Sequence, residues 1–177
     1  MSKPKLILIN GFNASGKTTI AKKYIEAHSL AISIEADVLV DNIGDWTNHR
    51  DEVKKLAFDL VTAMARAYLP SGHDVVLPYI VTNIAEVQTF ETVANECRAS
   101  FYEFVLFDEQ ADAIAKLFKR GNYGEVSSPA ITEADRVIIE QDFMNMDAVI
   151  KQRPNSIIVA LQNDTPDMTY QRLLKFI

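Results

Sequence analysis

An α/β fold, a three-layer sandwich with a mostly parallel sheet of five strands, is what this sequence predicts. Two observations carry the prediction. Short apolar runs suited to buried strands alternate with segments of helical period along all 177 residues, the order that yields a parallel sheet covered on both faces. The first run, Leu6–Ile9, also leads through a glycine-rich turn, Gly11-Phe12-Asn13-Ala14-Ser15-Gly16-Lys17-Thr18, directly into a helix. Strand, glycine turn and helix in that order form one supersecondary unit.

Each element has a local reason in the chain. From Thr19 to Ile25 the spacing buries Ile20, Ala21, Tyr24 and Ile25 on one side of the first helix. Leu30–Ile34 reads as a second short strand that ends in Glu35-Ala36-Asp37. If the extended backbone continues, those two carboxylates point the same way. Residues 51–68 have the clearest helical period, with Val53, Leu56, Ala57, Leu60, Val61, Met64 and Tyr68 at i, i+3, i+4 spacing. Pro70-Ser71-Gly72 stops this helix. Asp74–Leu77 is a buried strand closed by Pro78. Asn83 with Glu86 three residues on predicts a capped helix to about Cys97. Phe101–Phe107 is an aromatic-rich strand, after which comes a helix that Asp108 is expected to cap. Gly121–Pro129 reads as a polar loop, and Thr132 as the cap of the next helix. Ser156–Leu161 is the last strand. Thr165-Pro166 opens the final helix with proline at its first position.

Length and composition set the class. A chain of 177 residues defaults to one domain, here 1–177. Hydrophobic residues at 48% and charged residues at 24% are ordinary for a globular chain. The formal net charge of −6 argues against a general nucleic-acid or anionic-membrane surface. No apolar run approaches the roughly 20 residues of a membrane span, and the N-terminus lacks the apolar core of a signal peptide. Cys97 is the only cysteine, so no intramolecular disulfide forms and a cytoplasmic setting is expected.

The glycine-rich turn carries the chemistry. Gly, four residues, then Gly-Lys-Thr is a phosphate-binding pattern. Its glycines let backbone N–H groups approach phosphate oxygens, and the helix beginning there adds its positive dipole end. Gly11, Asn13, Ala14, Ser15, Gly16, Lys17, Thr18 and Thr19 are therefore the candidate nucleotide-binding residues. Lys17 reaches the β- and γ-phosphates and the Thr18 hydroxyl ligates Mg²⁺.

Phosphoryl transfer also needs a group for the acceptor and a cation for the transition state. Asp37 is the candidate base, since a carboxylate near an incoming hydroxyl can take its proton. Glu35 is a candidate for the water shell of Mg²⁺. Arg120, at the end of a helix before the glycine- and serine-containing loop, is the candidate catalytic cation of a lid over about 116–131. Lys116, Lys119 and Arg136 are lesser candidates. Tyr79 and Asn83, with Thr82 and Trp46, are candidates for the acceptor pocket, although Trp46 suits plain packing equally well.

Over nearly its whole length the chain resembles the small P-loop kinases of the shikimate kinase, gluconate kinase and chloramphenicol phosphotransferase type. The likeness rests on Asn10 through Thr18 and on Asp37, with Arg120 and the last strand–helix pair adding to it. It implies the P-loop NTPase fold, ATP as phosphate donor, and an acceptor hydroxyl handled by Asp37. The Glu35-x-Asp37 spacing is similar to the Asp-x-Asp of shikimate kinases, which implies a magnesium-shell role for Glu35. The family's adenine loop falls here on Gln162, Asn163 and Asp164. Two departures stand out. The family often has an aspartate at the end of the third strand, where this chain has Pro78-Tyr79. Its lid is also poor in arginine. The expected function is thus ATP-dependent phosphorylation of a small-molecule alcohol. The alternative is a nucleotide-binding regulatory module of the same fold.

Overall fold

The computed structural model describes residues 3–124, 128–161 and 164–177. Five strands, β1 (Lys5–Gly11), β2 (Ile32–Ser33), β3 (Val75–Tyr79), β4 (Ser100–Phe107) and β5 (Ile157–Ala160), form one sheet in the order β2-β3-β1-β4-β5. Every pairing is parallel. Among the described residues seven α-helices flank the sheet: α1 (Lys17–Ala27), α2 (Ala36–Asp41), α3 (Arg50–Tyr68), α4 (Ile84–Glu96), α5 (Gln110–Arg120), α6 (Arg136–Lys151) and α7 (Pro166–Leu173). None of them, among the described residues, is long and apolar enough to cross a membrane.

The pleat of β1 explains the three layers. Side chains alternate between the faces of a strand. Leu6 and Leu8 therefore join Val61, Ala65, Val87 and Phe90 under α3 and α4. Ile7 and Ile9 join Ile20, Tyr24, Tyr170 and Leu173 under α1 and α7. A smaller cluster of Phe12, Ile114, Leu117, Ile139 and Phe143 seats α5 and α6 beside the glycine turn. Val40, Trp46, Val53 and Ala57 fasten α2 to α3.

The strand order sets where a ligand can sit. The chain leaves β1 for β2 and β3 on one side, then returns to β4 and β5 on the other. In such sheets ligands bind beyond the carboxyl ends of the strands, where the order reverses. That edge here carries the glycine turn, α2 and the segment after β3.

Several local expectations need correction. β2 is two residues long instead of five, because Leu30 adopts φ +60° and α2 begins already at Ala36. Asp37 therefore lies in the first turn of a helix, and its relation to Glu35 is set by that turn and not by an extended strand. Pro78 does not close β3; it lies inside it, paired with Ile9. Val76 C=O accepts from Ile34 N–H on the β2 side. Alternate residues of a strand face the same neighbour, so the missing N–H of Pro78 points to the side where β2 has already ended. Asp108 does not cap α5. Glu109 holds that position, while Asp108 is buried and pairs with Lys116 Nζ at 2.7 Å. Thr165 does cap α7, accepting from Met168 N–H.

Candidate active site

The turn after β1 has the backbone of an anion cradle. Ala14 and Gly16 are both left-handed, at φ +64° and +91°, so successive N–H groups are turned toward a common point. Gly11 is required for another reason. A Cβ there would stand 2.8 Å from the Leu106 carbonyl oxygen and 2.9 Å from Ser15 Oγ. Only a bare α-carbon lets the turn lie this close to β4. Behind it, the buried Asn10 Oδ1 accepts from Gly11 N–H at 2.8 Å and from Val81 N–H at 3.0 Å. One side chain thus joins the end of β1 to the segment leaving β3. In the sequence Asn10 is only one letter of a motif; its bridging role needs the sheet order.

Gly16 is the N-cap of α1, and no acidic side chain sits in the first turn. The first N–H groups of a helix have no internal partners and attract anions. Ser15 Oγ is buried without a hydrogen-bond partner among the described residues. A phosphate would suit those N–H groups, so the residues present fit a nucleotide's phosphates.

Lys17 Nζ donates to Gly11 O at 2.9 Å and Phe12 O at 2.8 Å. Burial lowers its pKa to about 8, with the Asp37 carboxylate opposing the fall and Arg120 adding to it. Phosphate binding here would leave a measurable trace. An anion favours the charged ammonium, so above about pH 8 nucleotide binding should draw in part of a proton. Titration calorimetry at pH 8.5 in two buffers of different ionisation enthalpy will read that uptake. It should vanish in Lys17→Met, and its absence from the wild type would remove Lys17 from phosphate binding.

Asn13, Ala14, Gly16, Lys17, Thr18 and Thr19 open onto a cleft of about 930 Å³. Across from them Glu35 and Asp37 come from the start of α2, Trp46, Arg50 and Lys54 from the α2–α3 connection and α3, Tyr79 from the end of β3, Thr82 from the segment after it, and Glu86 from the first turn of α4. Arg120, Lys116 and Lys119 of α5 close another side with Tyr123 and Gly124. The loop after α5 is pinched at its base by Ile131 N–H donating to Gly121 O at 2.9 Å. Gly124 brings it against the site. A Cβ there would stand 2.6 Å from both Arg120 Nη2 and Asp37 Oδ2. The two side chains chosen from sequence for acid–base and cationic roles thus meet over one glycine, far apart in sequence.

Not every candidate arrives. Gly11 and Ser15 shape the turn from behind and do not line the cleft. Asn83 is exposed, and its side chain caps α4 by accepting from Ala85 N–H at 2.9 Å; that task turns it away from the cleft wall. Arg136 pairs with Glu133 and lies over the Phe118 ring, also outside the cleft. Gln162 and Asn163 lie outside the described residues. Asp164 is held by Arg172, which also donates to Ala160 O at 3.0 Å. Conversely, Arg50, Lys54, Glu86 and Asp142 line the cleft with no motif to announce them. Glu86 is legible in the sequence only as a cap. Its carboxylate does accept from Thr82 N–H, at 3.4 Å, but also from Tyr79 OH at 3.4 Å. Burial raises the pKa of both Tyr79 and Glu86.

A second hollow of about 530 Å³ adjoins the first, sharing Lys116 and Lys119 and bounded by Asp108, Asp112 and Leu161. It opens where β4 and β5 end.

The family model of an AAA domain matches residues 6–141, which is more than half of the chain and spans every element from β1 into α6. The chain belongs to that AAA domain family. Its match stops short of β5, which completes the sheet, and of α7, which packs against it. No curated protein matches it in sequence. Solved structures do match in fold. The crystal structure of APE1195 is 16% identical with a TM-score of 0.66, covering 99% of this chain and 95% of its own. The Mycobacterium tuberculosis APS kinase CysC in complex with AMPPNP and APS is 16% identical with a TM-score of 0.59, covering 99% and 98%. The Chaetomium thermophilum Kti12 in complex with ADP-AlF3 is 14% identical with a TM-score of 0.62, covering 96% and 97%. At these identities the likeness is one of fold. This AAA-family domain is a small, kinase-like P-loop NTPase in architecture, as the sequence resemblance implies.

Proposed function

We propose that the chain is an ATP-dependent phosphotransferase that moves a γ-phosphate to a hydroxyl of a small molecule. The observation that carries this reading is the meeting of Lys17, Asp37 and Arg120 in one cleft, with Gly124 against the last two. The backbone N–H groups of residues 14–19 and the Lys17 ammonium hold the phosphate tail. The adjoining hollow at the ends of β4 and β5 suits the nucleotide base. Asp37 accepts the proton of the acceptor hydroxyl as its oxygen bonds to the γ-phosphorus and the bond to the ADP oxygen breaks. Arg120 faces the negative charge shared by the transferring oxygens.

Magnesium fits the donors present. Thr18, Glu35 and Asp37 offer oxygen only, the ligand type of a hard divalent cation that keeps water and phosphate in its shell. Bound there, it would neutralise phosphate charge. Among the described residues no group of three or more metal-ligating side chains occurs, so Thr18 and the two carboxylates would hold it only in company with phosphate.

The direct test is ADP release with ATP, Mg²⁺ and a panel of alcohols. Stimulation above the water rate by at least one acceptor is expected; none from any class would overturn the reading. A second reading, a nucleotide-binding regulatory module, is favoured by one observation: β3 ends in Pro78-Tyr79, without a carboxylate. It expects tight nucleotide binding with no acceptor-dependent turnover.

Gly124 offers a separate check. Alanine there would meet Asp37 and Arg120 at 2.6 Å on a backbone at φ +136°. Gly124→Ala should lower kcat by about tenfold to a hundredfold, the usual effect of an ångström-scale misplacement. Nucleotide affinity should stay within about twofold, because the phosphate cradle is untouched. An unchanged kcat would show that the loop does not position the two groups.

A further inference from the structure

The hollow beside the cleft differs from it in chemistry. Its floor is apolar, made by Phe107, Ala160 and Leu161 where β4 and β5 end. Its carboxylates, Asp108, Glu109 and Asp112, outnumber its ammonium groups, Lys116 and Lys119. Like charges repel most where water is scarce, so an anion is ill served there and a neutral, flat group is well served. Lys116 and Lys119 also line the cleft. One ligand can therefore keep its phosphates in the cradle and its base in the hollow.

Asp108 sets the polarity of the hollow. It follows β4 directly, and only 6% of its side chain is exposed. Lys116 Nζ donates to its Oδ2 at 2.7 Å. Asp112 lies four residues before Lys116 on α5, the usual spacing for a helical ion pair. Among the described residues Lys116 pairs with Asp108 instead, which brings an ammonium beside the buried carboxylate. The other oxygen, Oδ1, accepts no hydrogen bond among the described residues. A carboxylate oxygen this far from water calls for a donor.

An open carboxylate oxygen beside an ammonium is an acceptor next to a donor. One edge of adenine is its complement, with the N6 amino group donating and N7 accepting. Guanine turns two acceptors, O6 and N7, to the same place, and its O6 would face the carboxylate. Its other edge offers N1–H and the N2 amino group together. These need both oxygens of one carboxylate, and Lys116 already holds Oδ2.

The geometry points to Asp108 and Lys116 as the pair that selects the base of the donor nucleotide: Asp108 Oδ1 accepts from the N6 amino group of adenine while Lys116 Nζ donates to N7. Lys116 has three N–H donors, so it serves N7 without releasing Asp108. The apolar floor of the hollow covers a face of the ring. This inference rests on the reading of the cleft as a nucleotide site and adds the residues that choose adenine.

The experiment is competition against a fluorescent ADP by four diphosphates: ADP, N6,N6-dimethyl-ADP, IDP and GDP. It needs neither an acceptor nor turnover. ADP should bind the wild-type chain about tenfold or more tightly than the other three, the effect of leaving buried polar groups unpaired. Asp108→Asn should weaken ADP by about tenfold and IDP and GDP by no more than about twofold, because only adenine loses a charged partner. A merely structural role would weaken all four alike. Circular dichroism melting reports whether the variant folds, and the wild-type series decides without it. Equal affinities across the four, or an ADP preference that survives in folded Asp108→Asn, would overturn the assignment and leave the phosphate cradle standing. Binding by none of them would overturn the nucleotide reading as well. Acceptor-stimulated ADP release is a separate measurement, so phosphotransfer can fail with the base selectivity intact.

Discussion

Asp37→Asn should lower kcat by about a hundredfold or more, the usual range for loss of a general base, while ATP affinity changes little. The substitution is nearly isosteric, so the packing against Gly124 and Arg120 survives. What it removes is the site that takes the acceptor's proton. One secondary effect has to be separated. Asp37 holds the Lys17 pKa up against burial, so the variant's lysine loses its proton at lower pH than in the wild type. Assays at pH 7 and pH 8.5 distinguish the two. A catalytic Asp37 gives a large defect at both, whereas a purely electrostatic role gives a defect that grows with pH. Full activity at pH 7 would remove Asp37 from the mechanism.

Lys17→Met should abolish nucleotide-dependent turnover, a loss of about a hundredfold or more, yet leave the fold intact. Its effect on stability should be opposite to the usual one for a buried residue. The Lys17 pKa is lowered from 10.5 to about 8 by burial, so its charged form is disfavoured in the folded chain. Below about pH 8 that penalty is fully present. As pH rises from about 8 to 10.5, the unfolded chain binds more protons at this position than the folded one, and the wild type gains stability. Methionine keeps much of the volume and carries no charge. The melting temperature of the variant at pH 7 should therefore equal or exceed that of the wild type, with its advantage shrinking toward pH 10.5. A fall of several degrees at pH 7 would mean that the bonds from Lys17 to the Gly11 and Phe12 carbonyls outweigh the burial cost.

The parts of this protein legible in its sequence are those written in local chemistry. The glycine turn needs residues that tolerate left-handed backbone and close approach, and Gly11 and Gly16 are such residues at fixed spacing. The alternation of Leu6 and Leu8 with Ile7 and Ile9 shows a strand buried on both sides. The caps at Asn83 and Thr165 are short-range hydrogen bonds, which adjacent residues are enough to suggest. Local rules mislead where a longer-range one competes. Pro78 looks like a terminator, but β2 has already ended on its open side. Asp108 looks like a cap, but Lys116 eight residues on competes for it. Asn83 looks like a pocket residue because it comes just after β3, yet its cap bond fixes it outside.

The sequence by itself thus determined the fold class and the glycine turn that leads from β1 into α1 with Lys17 at its end, because each depends on residues within a turn or two of one another. The tertiary structure alone decided the rest of the site. It set Asp37 and Arg120 over Gly124, made Asn10 the brace between β1 and the segment leaving β3, and brought Lys54, Glu86 and Asp142 from three helices to the same cleft. Those residues carry no motif. They become neighbours only when a parallel sheet brings the ends of its strands to one edge, and loops then fix side chains that are dozens of residues apart.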